Sequence, residues 1–92
     1  MRAIKKDRAG LYVFQDKDET LDYIFDWKAW LAGDTIATVV NVATSLTLGT
    51  ESNTTTTNTF WITGTDGSIT STITTAAGRV KQMSLAFREK VA

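Results

Sequence analysis

The sequence predicts an all-β sandwich of about seven antiparallel strands, on three observations. Threonine dominates from position 35 onward, in a chain that has no proline and is rich in Val, Ile, Trp and Phe, which is strand composition. Apolar residues recur at every second position, so one side of each run meets a core and the other meets water. Turn formers separate the runs at intervals of about 8–14 residues, the spacing of a sandwich.

Taken in order, the chain opens with the charged residues Arg2, Lys5, Lys6, Asp7 and Arg8, then the short apolar run Leu11-Tyr12-Val13-Phe14. Residues 1–14 are expected to be an N-terminal arm or edge strand, ordering on a neighbouring protein by strand addition, outside a domain of residues 15–92. The first main strand carries Leu21, Tyr23, Phe25 and Trp27 on one parity and Asp22 and Asp26 on the other. The segment Lys28-Ala29-Trp30-Leu31-Ala32 predicts a short helical turn crossing between sheets, closed by Gly33-Asp34. Alternation resumes at Ile36, Thr38, Val40 and Val42, and Gly49 with Asn53 marks the next turn. Thr54 to Thr57 read as a loop into a strand that buries Phe60 and Ile62 and turns Trp61 the other way. Asp66-Gly67 is the strongest hairpin signal, because a type I′ turn needs positive φ at both central residues. The last two strands are marked by Ile69, Ser71, Ile73 and by Met83, Leu85, Phe87, with Ala76-Ala77-Gly78 between them.

Composition narrows the function. Ten Lys+Arg balance ten Asp+Glu, so no basic field attracts nucleic acid or an anionic membrane, and the low self-repulsion tolerates many copies side by side. Cysteine is absent, which removes disulfides and thiolate chemistry; histidine is absent, which removes the commonest general base and metal ligand. No run approaches the ~20 apolar residues of a membrane-spanning helix, and the chain reads as made and kept soluble in a cytoplasm. Asp16, Asp18, Glu19 and Asp22 lack the glycine and terminal bidentate Glu of an EF-hand, and Lys17 interrupts them, so the cluster reads as a solvated turn. Gly64-Thr65-Asp66-Gly67 lies between strands rather than helices, which makes it a turn and not an RNA-clamping loop. Asp22 and Asp26 are two strand periods apart, roughly 13 Å, on the outward parity and do not form an acid–base pair. No enzymatic activity, metal or other cofactor is expected. Trp27 is expected in the core, Trp30 at the end of the sandwich, and Trp61 on a partner surface together with Leu11, Tyr12, Val13 and Phe14.

Two segments carry a family resemblance. Asp26-Trp27-Lys28-Ala29-Trp30-Leu31-Ala32-Gly33-Asp34-Thr35-Ile36 and Ile73-Thr74-Thr75-Ala76-Ala77-Gly78-Arg79 resemble the signature segments of the small tailed-phage virion proteins called fiber-tail adaptors. The resemblance covers roughly residues 13–90. It implies an immunoglobulin-like β-sandwich, present in many copies in a symmetric ring on the virion tail and joining tail and fiber proteins. Glu19 stands where the family often has proline, and Val42-Ala43-Thr44-Ser45 where it has a Pro/Gly-containing link. On physical grounds Trp27 and Trp30 fill the end of the core, Gly33-Asp34 closes the crossover, Gly78 lets the last hairpin turn, and Arg79 is placed to bond exposed carbonyls or a carboxylate. A capsid decoration or head-completion protein is the runner-up. A carbohydrate-binding module is the other alternative, and it requires Trp30 and Trp61 exposed on one platform.

Overall fold

The computed structural model describes residues 4–8 and 10–89; residues 1–3 and 9 of the expected arm and residues 90–92 of the expected domain lie outside them. Among the described residues eight strands form two facing sheets. The larger has the order β1 (Lys5–Asp7), β2 (Gly10–Phe14), β8 (Val80–Arg88), β7 (Gly67–Thr75), β4 (Ile36–Thr44), and the smaller has the order β3 (Thr20–Asp26), β6 (Thr57–Thr63), β5 (Thr47–Asn53). A single helical turn, α1 (Lys28–Leu31), carries the chain from β3 to β4 and so between sheets. When β2 to β8 are lettered A to G, strands B, E and D form one sheet and C, F and G the other, the partition of the immunoglobulin sandwich. Strand β2 departs from the all-antiparallel expectation, because it lies beside β8 and runs parallel to it.

The core is built by the alternation. Tyr23 and Phe25 of β3, Phe60 and Ile62 of β6, Ile69 and Ile73 of β7, and Leu85 and Phe87 of β8 are all buried. Aromatic rings join the layers: Tyr23 stacks on Phe60 at 6.3 Å and meets Phe87 edge-on at 5.2 Å, while Phe25 meets Phe60 at 5.2 Å. Polar side chains are also enclosed. Gln15, which carries the chain from β2 toward β3, is fully buried; its Nε2 donates to the carbonyls of Ile62, Gly64 and Glu19, and its Oε1 accepts from the Tyr23 hydroxyl. Asn58 and Ser71 face each other across the layers, with Asn58 Nδ2 donating to Ser71 Oγ at 3.0 Å and to Asn41 Oδ1 at 2.8 Å. Every one of these buried amides and hydroxyls has a partner, as burial requires.

Three local expectations are corrected. The parity of β4 is not that of Ile36, Thr38, Val40 and Val42, because a register shift between Ile36 and Thr38 turns the strand over: Ile36 faces the core, and Val40 and Val42 face solvent. The stretch around Gly49 is not a turn but strand β5, which contributes only a half-buried Leu48 inward and is held by pairing with β6. Asp66-Gly67 does not close a hairpin, since β6 and β7 belong to different sheets. Asp66 has the positive φ of 58°, but Gly67 is needed for space, as a Cβ there would lie 2.3 Å from the Thr44 carbonyl oxygen and 2.8 Å from Leu46 Cγ. A hairpin does form at β7–β8, where Gly78 takes φ 90° and the Thr75 amide donates to the Arg79 carbonyl at 2.8 Å.

Candidate protein-interaction surfaces

The two signature segments meet at one end of the sandwich. Trp27 follows β3 as the N-cap residue of α1, buried, with its amide donating to the Thr56 carbonyl at 2.9 Å. Its ring meets Phe25 edge-on at 6.1 Å and Trp30 at 6.2 Å. Ala32 in the left-handed region ends the helix, and the Asp34 amide returns to the Leu31 carbonyl at 3.0 Å. From the β7–β8 hairpin, 45 residues further on, the Arg79 guanidinium donates to the Leu31 carbonyl at 2.7 Å and to Asp34 Oδ2 at 3.1–3.2 Å, and it lies 4.6 Å from the centre of the Trp30 ring. A planar fork that stacks and donates twice is a job for Arg rather than Lys. Asp34 is held below its ordinary carboxyl pKa by the Thr75 hydroxyl first, then by the Thr35 amide, with Arg79 and the Ala77 amide adding to this and desolvation opposing it. These polar contacts close the crossover onto the last hairpin, so the signature residues Trp27, Trp30, Gly33, Asp34, Gly78 and Arg79 are brought together around a structural clasp.

The outer faces present different chemistry. On the three-stranded sheet, Trp61 remains 41 % exposed, directly opposite Asp22 on β3 and with Ile24 on the same face. On the five-stranded sheet the outward face of β4, β7 and the first half of β8 carries Val40, Val42, Thr70, Thr72, Thr74, Val80, Gln82 and Ser84, with no charge among them, and Arg88 ends the outward row of β8. The charged end of that face lies at β1 and β2, where Arg88 pairs with Asp7 at 2.8 Å and covers the Tyr12 ring at 4.0 Å, and Lys5 lies 5.3 Å from the Phe14 ring. The run Leu11-Tyr12-Val13-Phe14 therefore differs from the expectation of a segment held out for a neighbour. It pairs with Leu85 to Arg88 of its own chain, Val13 is buried, and Leu11 packs against the core, which leaves Tyr12 and Phe14 facing outward. Apolar burial accounts for this choice, because the edge of β8 offers the same backbone bonds and a core as well.

Trp30 and Trp61 share no platform. Trp30 sits half-buried in α1 under Arg79, and Trp61 lies five residues along the chain from Thr56, the residue that bonds Trp27, or roughly 16 Å at strand rise. The acidic turn is braced from within, with Glu19 Oε1 accepting from the Asp16 amide at 2.8 Å and the Glu19 amide donating back to the Asp16 carbonyl at 3.1 Å, and the Glu19 carbonyl ties it to the Gly64 amide at 3.3 Å. Among the described residues no group of three or more His, Cys, Asp or Glu side chains is placed to hold a metal ion, and no helix is long and apolar enough to cross a membrane. Gln15 and Asn58 escaped the sequence reading, which set Ser71 in the alternation of its strand but gave it no part in a buried polar network. Asn58 and Ser71 carried a signal, since each lies on the inward parity of its strand, between or beside residues that read as core.

An all-β sandwich whose polar side chains close its own ends and seams, and whose outer faces display uncharged and aromatic residues, belongs to the class of structural modules. Residues 15–88 match the family model described as podophage GP4 fiber-tail adaptor protein gp77, and the chain belongs to that family. No curated protein matches the chain.

Proposed function

We propose that this chain is a structural adaptor of a podophage tail, joining tail and fiber proteins through protein–protein contacts and without chemistry of its own. The observation that carries this reading is the pair of exposed, differently built patches on opposite faces of the sandwich. Trp61 and Ile24 mark the three-stranded sheet, and Val40, Val42 and Val80 mark the five-stranded one. A joint between two components needs two such surfaces, and a solvent-facing Trp is the residue type most often found anchoring an interface. Tyr12 and Phe14, the outward residues of β2, extend the second surface toward the N-terminus. Copies arranged in a ring multiply modest contacts into a stable collar. The protein is made in the host cytoplasm and resides in the virion tail.

The test is assembly of tails in vitro with purified wild-type chain and with Trp61→Ala. The variant is expected to melt within about 2 °C of the parent, because the side chain is not in the core, while fiber attachment falls at least about tenfold. Full fiber attachment by Trp61→Ala, or by tails lacking the chain altogether, overturns the reading. Localisation of the chain on the head instead of the tail favours a head-completion role.

A further inference from the structure

Two sheets have four edges, and three of them carry devices that discourage pairing with another strand. Strand β1 is three residues long and wholly charged, β3 carries Asp22 and Asp26, and β5 has a register irregularity between Leu48 and Glu51 with the carboxylate in mid-strand. Strand β4 has only the register shift between Ile36 and Thr38, at its start. It is nine residues long, without charge or proline, and its register against β7 is regular from Thr38 to Thr44. Its first residue is already taken, since the Ile36 amide donates to the Thr55 carbonyl at 2.8 Å, so the open edge runs over residues 38–44. Within that edge Val40 and Val42 are 57 % and 56 % exposed. An unprotected edge of this length is a template for another strand.

The order of residues along the edge says which strand. Thr38-Val39-Val40-Asn41-Val42-Ala43-Thr44 is nearly the same read from either end, with Asn41 at the centre. We infer that β4 pairs antiparallel with β4 of a second copy across a two-fold axis at Asn41, joining two five-stranded sheets into one of ten. In that register Val40 of each chain lies opposite Val42 of the other, Thr38 opposite Thr44, and Val39 opposite Ala43. Val40 with Val42 and Thr38 with Thr44 are β-branched cross-strand pairs on the outward face, a kind that stabilises a ladder, and Val39 with Ala43 lies on the inward face. On the axis Asn41 meets its own copy, and residues 38–44 carry no charge that would lie beside another across the pair. A cleft of about 80 Å³ beside the edge, lined by Val39, Asn41, Glu51, Asn53 and Asn58, lies where the second copy's inward residues extend the core-facing side. One strand pair is a small interface, so the association is in the micromolar rather than the nanomolar range.

Sedimentation equilibrium of the full chain, with no tail or fiber protein present, tests the inference separately from the adaptor reading. Mass should rise with concentration from 10.1 kDa toward twice that value. The double variant Val40→Lys/Val42→Lys should raise the dissociation constant at least about tenfold, with its far-UV circular dichroism unchanged. Val80→Lys, an equally exposed valine two strands away on the same face, should leave it unaltered. The chain has no cysteine, so Val40→Cys/Val42→Cys reads the register directly: oxidation should give a covalent dimer, and either single variant should not. A monomer at all concentrations to several hundred micromolar overturns the inference. So does a dimer that Val80→Lys breaks as strongly, or one that the paired cysteines fail to trap.

Discussion

Replacing Trp27 by alanine should cost about 3–5 kcal/mol of stability, the range for an aromatic core residue cut to a methyl group. The structure supports that magnitude. Trp27 is 2 % exposed, and an indole of that burial removes about 150–250 Å² of surface from water, about 4–6 kcal/mol at the usual transfer coefficient. Its edge-on contacts with Phe25 and Trp30 add about 0.5–1.5 kcal/mol each. Against these stands the indole Nε1, which is buried without an acceptor among the described residues and costs about 1–3 kcal/mol. The orphaned donor makes a second, sharper expectation: Trp27→Phe keeps much of the ring and deletes the unsatisfied N–H, so it should lose only about 1–2 kcal/mol. Urea unfolding at 25 °C, followed by circular dichroism, measures both. An alanine variant within about 1 kcal/mol of the parent, or a phenylalanine variant as damaged as the alanine one, refutes the reasoning.

Three further outcomes follow from the same contacts. Asp34→Asn should destabilise at neutral pH, and the difference from wild type should fade as pH falls. Asp34 has a folded pKa depressed below 3.8, so its contribution is present above that ordinary value and is lost on descent through the folded one; thermal melts from pH 7 to pH 2 read the trend. Gly67→Ala should lower stability by more than about 2 kcal/mol, because its methyl group meets the Thr44 carbonyl and Leu46, whereas Gly49→Ala, with only ordinary contact to the Trp61 Cβ, should cost less; paired urea titrations compare them. Removing residues 1–8 should leave a cooperative melt, while removing residues 1–14 should abolish it or lower it by tens of degrees, since the longer deletion takes Val13 from the core and β2 from β8.

How much of this was legible beforehand differs from element to element. Tyr23, Phe25, Phe60, Ile62, Ile69, Ile73, Leu85 and Phe87 announce their burial by alternation alone, because a strand's side chains alternate faces whatever it pairs with. Trp27 and Trp30, spaced across a turn between two strand-like runs, likewise mark the crossover and the end of the core. Periodicity says which face is buried but not which strand lies next door. Only the tertiary structure therefore decided that β6 and β7 part to different sheets across Asp66-Gly67, and that β2 settles parallel to β8. Strand β5 was hidden for the same reason: it buries almost nothing and exists because β6 offers it a backbone. The turnover in β4 was hidden because one residue of register shift leaves the composition untouched while exchanging every inward side chain for an outward one. Those decisions belong to pairing and space between distant segments. They are where Val40 and Val42 were turned to solvent, and where Arg79 found Asp34, Leu31 and Trp30.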